Sequence, residues 1–188
     1  MLELARTELI LGGQKSGKSR RAEALAAAWM AGGASRRAVL VATAEAGDEE
    51  MRARIERHRR DRVAGLAVLE VPRDLAGALA RLNDPQTLVV IDCLTLWLTN
   101  RLMPLHGAPD RPEDVDAAVV GLQDALRASA GPVVLVSNEI GLGVMPMGAP
   151  VRAFVDTLGT LNQSVAAVCE RVTFMAAGLP WALKGAAR

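Results

Sequence analysis

The chain has 188 residues, 51% hydrophobic and 23% charged, which places it among globular proteins and excludes disordered and fibrous classes. Its 22 basic and 21 acidic side chains leave a formal net charge of +1, a balance that argues against a dedicated nucleic-acid or membrane-surface protein. That length predicts one domain over residues 1–188, and no apolar run reaches the roughly 18–20 residues that span a bilayer.

Taken in chain order, an apolar run at 8–11 predicts the first strand, and an Ala-rich helix over 18–30 follows a Gly-rich turn. A strand at 38–42 leads into a charged helix over 48–62, then a strand at 67–71 and a helix over 74–82. The strand at 87–91, the helix over 94–103, a Pro/Gly loop at 104–112 and the helix over 113–130 come next. The strand at 133–136, a second Pro/Gly loop at 141–150, the helix over 151–170 and the strand at 172–175 complete the set. Short apolar runs without alternation belong to strands covered on both faces. Strands alternating with helices predict an α/β fold with a mostly parallel sheet. Cys93 and Cys169 stand in apolar segments without metal-ligand spacing and read as reduced core thiols. The first six residues lack the basic start and long apolar stretch of a signal peptide, so the expected location is the cytoplasm.

Gly12-Gly13-Gln14-Lys15-Ser16-Gly17-Lys18-Ser19 satisfies G-x-x-x-x-G-K-[ST], the P-loop or Walker A motif, between a strand and a helix. Glycines let the backbone turn its N–H groups toward phosphates, Lys18 can reach the β- and γ-phosphates, and Ser19 can bind Mg²⁺. The amino end of the following helix adds partial positive charge. The apolar run at 87–91 ends in Asp92, the position of a Walker-B carboxylate able to hold Mg²⁺.

The helix over 48–62 holds six Arg and five acidic residues, with acids in its first turn and arginines in its last, as the helix dipole favours. From 54 to 62 the balance is five Arg to two acids, enough to hold a polyphosphate. Met51, Ile55 and His58 recur at i, i+4 and i+7 and share one face. A neutral imidazole is a competent nucleophile toward phosphorus. Neighbouring arginines disfavour its protonation and stabilise charge on the attacked phosphate. On residue chemistry alone, a histidine packed at the edge of a solvated charged helix is the favoured reading of His58.

These segments together resemble the bifunctional adenosylcobinamide kinase / adenosylcobinamide-phosphate guanylyltransferase family of cobalamin biosynthesis. The resemblance rests on LGGQKSGKSRRAE at 11–23, VATAE at 41–45 with the 48–62 helix, and IDCLTLWLTN at 91–100. VLVSNEIGLG at 134–143 and RAFVDTLGTLNQSVA at 152–166 complete it. It implies a P-loop NTPase fold with a RecA-like sheet, and a homo-oligomer, a trimer. It implies two reactions: phosphorylation of adenosylcobinamide by ATP or GTP, then transfer of GMP from GTP to adenosylcobinamide phosphate through a guanylylated histidine. That nucleophile maps to His58, beside Arg57 where many relatives have a second histidine. By the same resemblance Gly12 to Ser19 hold the triphosphate. Thr43, Ala44, Glu45, Arg59, Arg60, Asp61, Arg62, Glu70 and Asp92 contact nucleotide, with Ser19 and Asp92 serving the metal. Two departures stand out: Arg62-Val63-Ala64-Gly65-Leu66 where relatives often read Arg-Pro-Ala-x-Trp, and Gln14-Lys15 where Ala-Arg is commoner.

Two other readings fit the residues. One is a plain small-molecule P-loop kinase with a structural His58, which would form no covalent nucleotide adduct. The other is a non-metabolic P-loop ATPase, whose hydrolysis a polymer or partner would stimulate.

Overall fold

A computed structural model describes residues 4–60, 62–144 and 146–185, apart from the side chains at 54 and 58. Its elements in chain order are β1 (Thr7–Gly12), α1 (Lys18–Ala31), β2 (Arg37–Ala42), α2 (Glu49–Arg60), β3 (Ala67–Glu70) and α3 (Leu75–Arg81). Then come β4 (Thr87–Asp92), α4 (Leu94–Leu102), α5 (Pro112–Ala128), β5 (Val133–Val136), α6 (Ala149–Val168), β6 (Arg171–Ala176) and β7 (Leu179–Lys184). The strands form one sheet in the order β3-β2-β4-β5-β1-β6-β7. All pairings are parallel except β6 with β7.

The apolar runs of the central strands are covered on both faces, whereas β3 at the edge stays largely exposed. Leu9, Leu11, Val89, Ile91, Val133 and Leu135 point to one side, against buried residues of α3, α4, α5 and α6. Ile10, Leu40, Leu88, Val90, Val134 and Val136 point to the other, against Ala22, Leu25 and Ala26 of α1. Parallel crossovers are overwhelmingly right-handed, so the face a helix covers depends on the direction the chain moves across the sheet. The chain moves from β1 out to β2 and β3, then back through β4 and β5 to β6. That reversal puts α1 on one face and α3, α5 and α6 on the other. It also opens a crevice at the strands' carboxyl ends. Among the described residues, α2 contributes nothing to either core.

The β6–β7 hairpin is absent from the sequence reading, which stops at a strand over 172–175. All six residues of β7 are exposed and Pro180 interrupts the run, so neither burial nor alternation marks it. Proline is tolerated there because β7 is an edge strand. The helices also differ from their expected ranges at their ends. Pro112 and Pro150 occupy first-turn positions of α5 and α6, so both begin one or two residues before their apolar periodicity. The charged helix ends at Arg60 instead of reaching 62, and Asp61 lies outside the described residues.

A buried charge anchors α1 to the sheet. Glu8 on β1 is 0% exposed, and its Oε1 accepts from Arg21 Nη2 (3.0 Å), Arg21 Nε (3.2 Å) and Thr173 Oγ1 (2.8 Å). The Arg171 guanidinium lies 3.8 Å from Oε2. A carboxylate stripped of water needs these partners, and removing one is costly. Arg21→Leu is expected to cost roughly 3 kcal/mol of stability, read from the urea midpoint. Adding Glu8→Leu should recover part of that loss; a double variant weaker than the single would show that the carboxylate has another anchoring task.

Candidate active site

The P-loop leaves β1 at Gly12, whose φ of +146° suits glycine, and where a Cβ would run into the Met175 carbonyl. Gly17, at φ +100°, stands at the N-cap of α1. No acidic side chain stands in the first turn of α1 and no side chain caps it, whereas Asp48 caps the start of α2 through Met51 N (2.7 Å) and Asp74 caps α3 through Gly77 N (2.9 Å). The amino end of α1, at the wall of the cavity, is thus left open to an external anion. Lys18 is buried and its Nζ donates to the Gly13 carbonyl at 2.6 Å, folded across the loop it serves.

Two cavities meet here. The larger, about 660 Å³, has the P-loop from Gln14 through Arg20 as one wall. Glu50 and Arg57 of α2, Asp92 with Cys93, Asn138, and the hairpin turn Ala177-Gly178 supply the others. Gly178 N donates to Ser16 O at 3.0 Å, so the hairpin turn is bonded directly to the P-loop. The smaller, about 90 Å³, lies between Ser19 and Glu23 of α1, Ala42 and Ala44, and Met51 and Ile55 of α2, with Arg62 and Leu96 at its sides. Ser19, Asp92 and Cys93 line both. The two hard oxygen donors expected to serve a metal therefore share one seam.

The remaining expected residues separate. Ala44 and Arg62 line the smaller cavity. Glu45, Arg59, Arg60 and Glu70 line neither. Arg59 instead bridges Glu56 (2.9 Å) and Glu70 (3.0 Å) at the exposed flank of the sheet. Position 58 belongs to α2, next to Arg57, and its side chain lies outside the described residues.

Thr43 has an internal task. It is fully buried, its N donates to Asp92 O (3.1 Å), and its hydroxyl accepts from Cys93 N and donates to Cys93 O, both at 2.8 Å. Its carbonyl accepts from Asn100 Nδ2 (2.7 Å), which also reaches Pro72 O (3.0 Å). Its N–H and hydroxyl fasten the end of β2 to the main chain at Asp92 and Cys93, which are joined by a cis bond, and its carbonyl ties the same point to α4. A polar residue after a strand reads as a ligand contact; here a neighbouring strand end 50 residues away takes the hydroxyl.

Glu23, Glu50, Asn138 and the turn at 177–178 have no role in the sequence reading, which counts Arg57 among the arginines able to hold a polyphosphate. Only Glu23 carries a local signal, standing one helical turn after Ser19. Thr43→Val keeps the volume but leaves the Cys93 N–H unsatisfied, and is expected to cost about 1–3 kcal/mol and to weaken nucleotide binding. Denaturant unfolding and nucleotide titration check this; unchanged values for both would make the hydroxyl dispensable.

Two comparisons of structure show the fold at low identity. A flagellar accessory protein FlaH from Methanocaldococcus jannaschii superposes with TM-score 0.54 at 11% identity, covering 96% of this chain and 79% of that one. A protein of Pyrococcus horikoshii OT3 gives TM-score 0.55 at 11% identity, covering 99% and 90%. Sequence relatives are far nearer. The bifunctional adenosylcobalamin biosynthesis protein CobP of Pseudomonas aeruginosa is 48% identical over 179 residues, 95% of this chain and 97% of that protein. The bifunctional adenosylcobalamin biosynthesis protein CobU of Escherichia coli is 34% identical over 179 residues, covering 91% and 96%. The family model described as cobinamide kinase / cobinamide phosphate guanyltransferase matches residues 8–183, and the chain belongs to that family.

Proposed function

We propose that this chain phosphorylates the aminopropanol hydroxyl of adenosylcobinamide with ATP or GTP, then transfers GMP from GTP to the new phosphate, yielding adenosylcobinamide-GDP and pyrophosphate. The observation that carries the reading, beside family membership, is the position of α2. This helix belongs to neither core, yet Glu50 and Arg57 line the same cavity as the P-loop. One domain built on the single sheet then serves both reactions.

In the first reaction the P-loop amides and Lys18 hold the triphosphate and offset charge on the transferred phosphoryl group. Lys18 exchanges its bond to Gly13 O for phosphate oxygens. In the second, His58 attacks the α-phosphorus of GTP, a nitrogen–phosphorus bond forms, and pyrophosphate leaves. The phosphate of the substrate then displaces the histidine and takes the GMP. Arg57 and Arg62 supply positive charge beside the phosphates. The hydroxyl of Ser19 and the carboxylate of Asp92, hard oxygen donors lining both cavities, would hold Mg²⁺. Bound there, Mg²⁺ neutralises charge on the phosphates.

The enzyme works in the cytoplasm. The described helices include none long and apolar enough to cross a membrane. Burial pushes the Cys169 thiol up to about 12, so it stays protonated and inert to oxidation. The chain assembles as a homo-oligomer, a trimer. Support comes from β7, where Leu179, Trp181 and Leu183 expose 71%, 68% and 52% of their surface at alternate positions of an edge strand. Such a strand invites pairing with another copy.

Incubation with α-³²P-GTP and Mg²⁺ should leave an acid-labile label on the wild type and none on His58→Ala, which keeps its kinase activity. Label on both proteins would move the nucleophile elsewhere; label on neither would leave a kinase alone. Trp181→Lys should lower the mass measured by light scattering, and an unchanged mass would move the interface off β7.

A further inference from the structure

We infer that Asn138 donates a hydrogen bond to the γ-phosphate of the nucleotide held by the P-loop, and so distinguishes triphosphate from diphosphate. The inference deepens the kinase reading above and rests on it.

Asn138 lies two residues beyond β5, the strand between β1 and β4. Val136 pairs with Ile10 on one side and with Asp92 on the other. The ladder to β1 continues past the strand: Ser137 N donates to Ile10 O (3.0 Å) and Glu139 N donates to Gly12 O (3.2 Å). Asn138 is therefore fixed at the level where the P-loop begins, between the loop and the Asp92 carboxylate. It lines the larger cavity together with Lys18, Ser19 and Asp92.

Two helices hold it in place. Its main-chain N donates to Thr95 Oγ1 at 3.0 Å and its side-chain Nδ2 donates to the same oxygen at 3.2 Å. Its carbonyl accepts from Asn162 Nδ2 at 3.0 Å. Thr95 belongs to α4 and Asn162 to α6, and Asn162 is buried. Three polar residues remote in sequence thus converge to orient one amide at a phosphate cavity. A site of this kind, with its rotamer locked by neighbours, is what positioned catalysis requires.

The chemistry suits the place. An amide NH₂ carries two N–H donors, and Thr95 accepts from one of them. Phosphoryl transfer spreads negative charge over the three equatorial oxygens, and a fixed neutral donor beside Lys18 stabilises it without reorganisation. A bound diphosphate has no γ-phosphate for the amide to reach. The residue therefore reads the end of the phosphate chain, independently of the base.

The test compares affinities for β,γ-imido-GTP and GDP, by calorimetry with Mg²⁺ and no corrinoid. Asn138→Ala should lose roughly 10- to 100-fold for the imido-triphosphate, the size of one hydrogen bond to a charged group, with GDP unchanged within about twofold. Asn138→Asp keeps the shape and can accept from the Thr95 hydroxyl, but places a charge against the γ-phosphate. It should show a larger loss in the same ratio. Equal losses for both nucleotides, or no loss for either, in the variant that folds would overturn the inference. Corrinoid phosphorylation is assayed separately on the wild type. A selective loss with no corrinoid turnover would sink the kinase reading and leave the γ-phosphate contact standing.

Discussion

Parallel strands joined by right-handed crossovers deliver all their carboxyl ends to one edge, and everything at the site follows from where the chain reverses along that edge. It moves outward through β2 and β3 and returns through β4, so strand ends distant in sequence arrive side by side. β1 brings the P-loop, β4 brings Asp92, and β5 places Asn138 between them. The amino end of α1 is left facing the gap with glycine at its cap and no acid in its first turn. An anion entering there meets aligned N–H groups, a lysine and a helix dipole together.

The two kinds of helix divide the work. α1, α3, α4, α5 and α6 bury apolar residues and hold the sheet rigid. α2 rests on the carboxyl edge through Met51 and Ile55, half-buried, while Arg52, Arg57, Arg59 and Arg60 stay in water. Little apolar burial ties this helix down, so its displacement costs less than that of any helix packed into a core. The nucleophile proposed for this helix would approach phosphate without disturbing the frame. The core fixes what must not move, notably the Thr43 hydroxyl that holds the peptide after Asp92.

Most of the parallel strands are legible because covering both faces leaves unbroken apolar runs, and the exposed edge strand β3 is legible as a short apolar run alone. The phosphate loop was legible because its backbone needs glycine at particular angles, which few other segments demand. Strand order was not, since nothing in an apolar run says which neighbour it takes. Asn138 reaches the cavity only because β5 lies between β1 and β4, and the Thr43 hydroxyl meets Cys93 by a pairing across 50 residues. β7 escaped because an exposed edge strand needs no pattern. Arg59 and Glu70 were grouped with the nucleotide by resemblance, and in space they first meet each other.

The P-loop lies near the start of the chain, yet its frame comes from the end. β1 is flanked by β5 and β6, and Gly178 donates to Ser16 within the loop. A ribosome exposes the nucleotide motif long before it exposes these partners. Until the last strands emerge, β1 has neither neighbour, and contacts spanning most of the chain must close against loop entropy. Nucleotide therefore cannot template early folding. It stabilises only a nearly finished molecule, and a nascent chain stalled before its last strands would hold the motif without the cradle.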